Sequence, residues 1–276
     1  MLRELGRNVY AITGNKGGAN CGFVITNEGV IVIDTTLFPS KAKEILDNIH
    51  IITSEPIIYV FNTHYHGEHI FGNEIFNAPV IASAKTLEIL HSISDSYVNE
   101  YMGKDEDLIP LLKDVHVVLP SITFNRKKTF TFGDKRLIFV HTGGHTPDSS
   151  YAFIEPDNIV FSGDLIFAGL HPQICKDSNI ENWKRAILNI RKLYPEYIVP
   201  GHGNICDVEE TDAMLNYFLT LEKIMKEIEQ ESDIDKISKL KGISEMSNLG
   251  FPELFVSNLK VLFYLKYNKK KAVKYT

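Results

Sequence analysis

The sequence predicts an α/β fold of two strand-rich halves followed by a helical tail. Three observations predict it. Short apolar runs rich in Ile, Val and Phe recur as far as Val199, each of strand rather than helix length. Helical periodicity interrupts them in each half, so strands and a helix come first, then a polar loop, and then the same series again. Beyond Asp207 the strand signals stop, and Met214, Phe218, Leu221, Ile224, Met225 and Ile228 fall at the spacing of an amphipathic helix. The expected organisation is therefore 1–206 for the α/β unit and 207–276 for a helical extension packed on it, since no linker composition separates the two. With 276 residues the chain buries a full core, and 44% hydrophobic against 23% charged residues argues against disorder.

Taken in order, Val9 to Ile12 is a first strand, followed by a turn-rich loop over Asn15-Lys16-Gly17-Gly18-Ala19-Asn20. Cys21 to Ile25 and Val30 to Ile33 form a hairpin about Thr26-Asn27-Glu28-Gly29. Pro39 opens a helix through Ala42, Ile45, Leu46 and Ile49, and Pro56 ends it. Ile57 to Phe61 is a buried strand, and Val80-Ile81-Ala82 another. A helix over Lys85 to His91 precedes a separate, more polar helical stretch from Asp95 to Asp114, placed to overhang a site. Strands follow at Ser121 to Phe124, Thr129 to Phe132 and Leu137 to Val140, then at Tyr151 to Ile154 and Asn158 to Phe161. A helix from Ile180 to Leu193 puts Trp183, Ile187, Ile190 and Leu193 on one face, and Tyr197-Ile198-Val199 is the last strand. Further helices are expected over Asp233 to Leu240 and Leu254 to Tyr267.

The chemistry concentrates in Asn62 to Asn73, directly after a strand. His64, His66, Glu68 and His69 lie within six residues. A two-residue spacing in extended chain puts His64 and His66 on one side, and Glu68 and His69 follow where the chain can bend into a helix. Neutral imidazole and carboxylate suit zinc and similar divalent cations. His145, Asp164 and His202 repeat the arrangement: each follows a strand and sits beside a glycine. Strand ends converging on one rim are where α/β proteins build sites.

Other classes recede. A net charge of −6 provides no basic footprint for nucleic acid. The basic clusters Arg126-Lys127-Lys128 and Lys269-Lys270-Lys271 read as solvated surface. Cys21, Cys175 and Cys206 are scattered, without a CxxC pair, which suits a reducing cytoplasm better than a disulfide scaffold. No apolar leader follows Met1 and no run approaches membrane-span length, so neither secretion nor a membrane is expected.

Thr-His64-Tyr-His66-Gly-Glu68-His69, Gly144-His145, Gly163-Asp164 and Gly201-His202 together resemble the metallo-β-lactamase superfamily, whose signature is H-x-H-x-D-H, GH, GD and GH in that order. The resemblance covers roughly residues 6 to 205. It implies an αββα sandwich with the site on the common rim of two sheets, here with a C-terminal helical extension. It implies a first metal on His64, His66 and His145, a second on Glu68, His69 and His202, and Asp164 bridging both. Glu68 and Asp164 are then the acidic groups of the catalytic centre. The implied cofactors are two divalent ions, zinc first, with iron or manganese as alternatives. The implied activity is attack by metal-activated hydroxide on a small ester, thioester, lactone or β-lactam.

This chain departs from the pattern at Glu68, where the family carries aspartate. The extra methylene leaves two placements open: a ligand to the second metal, or a hydrogen-bond partner of the bridging water or of His69. Asp148 stands where many members have glycine and reads as a surface turn, with an acceptor behind the ligands as the alternative. Tyr65 and His171 are candidates for the substrate pocket, and Asp34 for a residue orienting a ligating imidazole. His141 reads as structural. Tyr97, Tyr101, Met102, Phe251, Phe255 and Tyr264 belong to a pocket wall or to the core, and the helical tail shapes the pocket or a homodimer contact. The partner is a small molecule. The alternatives carried forward are a phosphodiesterase of small substrates, a mononuclear iron enzyme resembling persulfide dioxygenases, and a catalytically inactive metal- or ligand-binding module. Asp164 and His202 are only 38 positions apart, too close for the inserted domain of the nucleic-acid-cleaving branch. His66 stands where flavodiiron relatives carry glutamate.

Overall fold

The computed structural model describes residues 1–14, 19–228, 230, 234, 246 and 248–272. Almost all of the helix expected over 233–240, and most of the turn-rich loop at 15–18, lie outside the described residues.

Two sheets face one another with helices outside both, which is an αββα sandwich with helices added at the C-terminal end. The first sheet runs β1 (Leu2–Gly6), β2 (Val9–Ile12), β3 (Cys21–Thr26), β4 (Gly29–Ile33), β5 (Ile57–Phe61), β6 (Val80–Ser83) and β7 (Ile122–Phe124), in that spatial order. The second runs β8 (Lys127–Phe132), β9 (Lys135–His141), β10 (Ser150–Glu155), β11 (Ile159–Ala168) and β12 (Tyr197–Gly203). Helix α1 (Pro39–Ile52) covers the first sheet, while α6 (Ile180–Arg191) and α7 (Glu209–Glu227) cover the second. Short helices α2 (Gly67–Ile70) and α3 (Asn73–Phe76) follow β5. Helices α4 (Ala84–Met102) and α5 (Ile109–Leu112) lie between the sheets in sequence, and α8 (Glu253–Ala272) closes the described chain.

Strand periodicity explains the layers. Alternate residues of β3 point to opposite faces, and both faces are covered, so every residue of the strand is buried. Phe23 and Ile25 pack under α1, while Val24 enters the core between the sheets. In β9, Leu137 and Phe139 face the same inter-sheet core and Ile138 faces α6 and α7. Phe61 stacks on Phe139 across the two sheets, with ring centroids 4.1 Å apart.

Four elements differ from expectation. Strand β1 pairs antiparallel with β2 although Arg3 and Glu4 hide its pattern; as an exposed edge it needs little apolar surface. Helix α4 is continuous through Met102, where two helical stretches are expected. Ser83 caps its start by accepting from Thr86 N, and the chain from His91 to Asp95 holds no Gly or Pro to stop it. Strands β11 and β12 do not end before their ligand positions but run through Asp164 and His202. Their parallel register slips between Phe161 and Gly163 and again between Gly163 and Phe167, which re-aims the intervening side chains. Among the described residues no helix is long and apolar enough to cross a membrane.

Candidate metal centre

The loop after β5 is locked from beneath before it presents any ligand. Asn62 Nδ2 donates to the carbonyl of His69 at 3.1 Å and to Asn73 Oδ1 at 3.1 Å, and Thr35 Oγ1 donates to Asn73 Oδ1 at 2.8 Å. His66 caps α2 with extended dihedrals (φ −59°, ψ 141°), so His64 and His66 precede the helix while Glu68 and His69 sit on its only turn.

Two candidate ligand groups result. His64, His66, His145 and Asp164 form one, and Glu68, His69, Asp164 and His202 the other; within each group the donor atoms all lie within 4.8 Å of one another. Asp164 belongs to both. Its Oδ2 lies 3.4 Å from His145 Nε2 and 3.9 Å from His64 Nε2, while its Oδ1 lies 3.1 Å from His69 Nε2 and 3.5 Å from His202 Nε2. One carboxylate thus turns an oxygen to each group. The chain can bring it there because Gly201 lies against Asp164 Oδ1, where any Cβ would collide.

Outer partners hold the imidazoles. Asp34 Oδ2 is 2.7 Å from His69 Nδ1 and accepts from Thr63 Oγ1 at 2.8 Å, while Oδ1 accepts from Thr63 N at 2.9 Å. This leaves His69 Nε2 to face Asp164. His145 Nδ1 lies 3.0 Å from the carbonyl of Gln173, which leaves Nε2 facing His66 Nδ1 at 3.1 Å. Such bonds fix which nitrogen carries the lone pair.

Among the described residues, His64 Nε2, His69 Nε2 and both Asp164 oxygens are buried with no hydrogen-bond partner; the His69–Asp164 approach is not aligned as one. Buried polar atoms left so cost about 1–3 kcal/mol each. Lone pairs of neutral imidazole and carboxylate converging in pairs are satisfied together by cations, so the residues present fit a pair of divalent ions.

The titration of these groups agrees. Burial, with help from His69, holds His64 well below the usual imidazole range, and burial depresses His145 to about 3. Burial pushes Glu68 up, but His66 and His69 outweigh it and bring the carboxyl down to about 2. Burial likewise raises Asp164, yet His202 and His69 hold it well below the usual carboxylate range. Burial opposes charge on His69 and His202, but Asp34 and Asp164 overcome it at His69, and Asp164 at His202, so both are raised. A cation binding these two imidazoles therefore competes with protons more than it would at free imidazole. Zinc titration is expected to release protons, and affinity is expected to weaken as pH falls. Calorimetry in two buffers of different ionisation enthalpy checks this; identical heats in both would contradict it.

The remaining expected positions divide. Tyr65 faces a groove of about 290 Å³ shared with His66, Glu68, Tyr97 and Tyr101. His171 does not join it, which corrects its expected place in the pocket. Its ring is buried, with Nδ1 3.0 Å from Tyr217 Oη and Phe255 packed nearby, and it is absent from the described residues lining either cavity at the site. Asp148 is corrected from surface turn to fully buried: Oδ1 accepts from Thr146 Oγ1 at 2.7 Å and Oδ2 from Thr86 Oγ1 at 2.8 Å, tying the start of α4 to the His145 loop. His141 sits between the carbonyls of Asn125 and Pro147 at 2.9 and 3.0 Å.

Three supports escape the sequence reading. Tyr101 Oη donates to Glu68 Oε2 at 2.7 Å and accepts from Gly67 N at 2.9 Å. Tyr97 Oη donates to the carbonyl of Tyr65 at 3.1 Å. Trp183 backs His145 with ring centroids 5.2 Å apart and donates Nε1 to the carbonyl of Leu165. The sequence places Tyr97 and Tyr101 in a pocket wall or the core but carries no trace of their bonds to the ligand loop. Beside the second group a cavity of about 450 Å³ opens, with Glu68 and His202 in its lining.

A sequence profile of the metallo-beta-lactamase superfamily matches residues 14–202. The metallo-beta-lactamase type 2 of Elizabethkingia meningoseptica is 27% identical over 214 residues, covering 74% of this chain and 78% of that protein. The beta-lactamase-like protein 2 homolog of Caenorhabditis elegans is 24% identical over 247 residues, covering 85% and 74%. Among solved structures, a metallo-beta-lactamase from Pontibacter korlensis shares the fold with a TM-score of 0.61 at 22% identity, covering 78% of this chain and 97% of that one.

Proposed function

Because the chain belongs to the metallo-beta-lactamase superfamily, we propose that it is a metal-dependent hydrolase acting on a small ester, thioester, lactone or β-lactam through a binuclear, most simply zinc, centre. The observation that carries this reading is Asp164: a buried carboxylate with both oxygens unsatisfied, one turned to each of two ligand groups. His64, His66 and His145 would hold one ion, and His69, His202 and Glu68 the other, with Asp164 shared. When bound, the ions supply a Lewis acid for the electrophile and a water whose pKa falls from 15.7 towards about 7.

The chain's own residues do the rest. Asp34 fixes the His69 ring by binding its Nδ1, and the Gln173 carbonyl does the same for His145. Glu68, held by Tyr101, keeps a negative charge at neutral pH beside the second group. The grooves on either side of Glu68 admit a small molecule to the rim where both groups meet. The names of the relatives put β-lactams among the first substrates to try.

The test is a panel of p-nitrophenyl esters, acyl thioesters, lactones and a chromogenic β-lactam, run on zinc-loaded protein and on protein stripped with a chelator. Hydrolysis of at least one class is expected, lost on stripping and regained with zinc. Hydrolysis unaffected by stripping, or none with any class, would overturn the reading.

A further inference from the structure

The cavity of about 450 Å³ beside the second ligand group has a chemical character of its own. One side carries Glu68 and His202. Beside them, and alongside Asn20, Gln173 and Asn204, lies an apolar wall: Phe167 lies flat on the His202 ring, with centroids 5.3 Å apart and planes 17° from parallel. Leu170, Phe251 and Leu254 continue it. Among the described residues of the lining there is no Lys or Arg, and Glu253 stands with Glu68 as a second acid. Away from the ligand group, an anionic tail would meet Glu253 and no basic side chain among the described lining residues.

The wall from the C-terminal part is held in place deliberately. Gly250 pairs with Leu170 in an isolated bridge, donates its N–H to the carbonyl of Gly169 at 3.0 Å and accepts from His171 N at 3.0 Å. The next residue, Phe251, sits at φ 59°, in the left-handed region that large side chains avoid. The residue is nevertheless 49% exposed, so core packing does not repay that conformation. Backbone strain of this kind persists where the surroundings impose it, and it concentrates at ligand-binding sites. A large aromatic residue, strained and half in solvent at the rim of a cavity that contains candidate metal ligands, is placed for contact with something that enters.

We propose that this cavity binds the apolar acyl tail of the substrate, so that the protein prefers medium-chain acyl esters, thioesters or lactones to acetyl or anionic ones. The proposal rests on the hydrolase reading for the placement of the reacting carbonyl. Its test is nevertheless read without turnover.

Zinc-loaded full-length protein is titrated with butyrate, hexanoate and octanoate, carboxylates that differ only in tail length. In wild type, Kd is expected to tighten about fourfold for each added methylene, the increment for burying one such group, and so by about two orders of magnitude or slightly more across the series. Phe251→Gly removes the wall and accepts the left-handed backbone freely. Its melting temperature is expected to equal or exceed that of wild type while the series flattens. Leu254→Ala, three residues on in the same lining, is expected to flatten it as well. A Kd independent of tail length in wild type would overturn the proposal, as would an equally steep series in both variants. Since binding alone is read, a protein that hydrolyses nothing but shows the steep series refutes the hydrolase reading and leaves the apolar site standing.

Discussion

Asp164→Asn is expected to abolish tight metal binding at both groups and to lower hydrolysis by at least about a thousandfold. The reason is the sharing of one side chain: Oδ2 faces His64 and His145, and Oδ1 faces His69 and His202. An amide of the same shape must turn its NH₂, a donor with no lone pair to give, towards one of the groups. It also removes the negative charge that offsets two dications in a buried space. Several kcal/mol of lost transition-state stabilisation at about 1.4 kcal/mol per decade gives the expected size. The fold is expected to survive, because among the described residues neither Asp164 oxygen takes part in a hydrogen bond that the substitution would break. Metal content after dialysis and the thermal melt of the metal-free variant check both halves. Retention of two ions per chain by the variant would contradict the bridging role.

Tyr101→Phe is expected to weaken cation binding at the Glu68, His69 and His202 group by about 10–100-fold while leaving the other group unchanged. That range is usual for losing a hydrogen-bond partner of a ligand. Glutamate at position 68 has one more torsion to fix than aspartate, and Tyr101 fixes it by donating to Oε2 while Gly67 N holds the phenol oxygen from behind. A carboxylate has about four acceptor positions, so the bond leaves the rest for a cation. The expectation is sharper as a double-mutant cycle. In Glu68→Asp the shorter side chain does not reach the phenol, so Tyr101→Phe is expected to have no further effect in that background. Chelator competition for the weaker-bound ion measures each corner. Equal effects of Tyr101→Phe in both backgrounds would mean that the tyrosine acts only by packing. Tyr97→Phe, which loses a bond to the Tyr65 carbonyl in the same aromatic cluster, is expected to weaken the Glu68 group less than Tyr101→Phe does.

What could be read in the sequence was whatever local spacing encodes. His64, His66, Glu68 and His69 announce themselves within six residues, and the glycines before His145, Asp164 and His202 mark close backbone approaches that the fold does use. The strand rhythm carries the two sheets because short apolar runs of strand length recur between turn signals, as strands covered on both faces require. What escaped depends on contacts between distant segments. Nothing near Tyr101 says that it reaches Glu68, 33 positions away. Asp148 looks like a turn residue because its partner Thr86 lies 62 positions off. His171 follows closely after Asp164, yet the chain turns its ring inward against Tyr217 on α7. Strands β11 and β12 extend past their ligands because each supplies the other's hydrogen bonds, and Gly163 or Pro200 read alone suggests a stop instead. The departure from the family at Glu68 was visible; its compensation by Tyr101 was not.

The most direct test of the binuclear centre is the metal content of the wild-type chain, by elemental analysis after purification without added metal and again after zinc loading and gel filtration. Two ions per loaded chain are expected, the second lost first on titration with a chelator. One ion per chain at saturating zinc, or none in a protein that remains folded, would contradict a centre shared through Asp164.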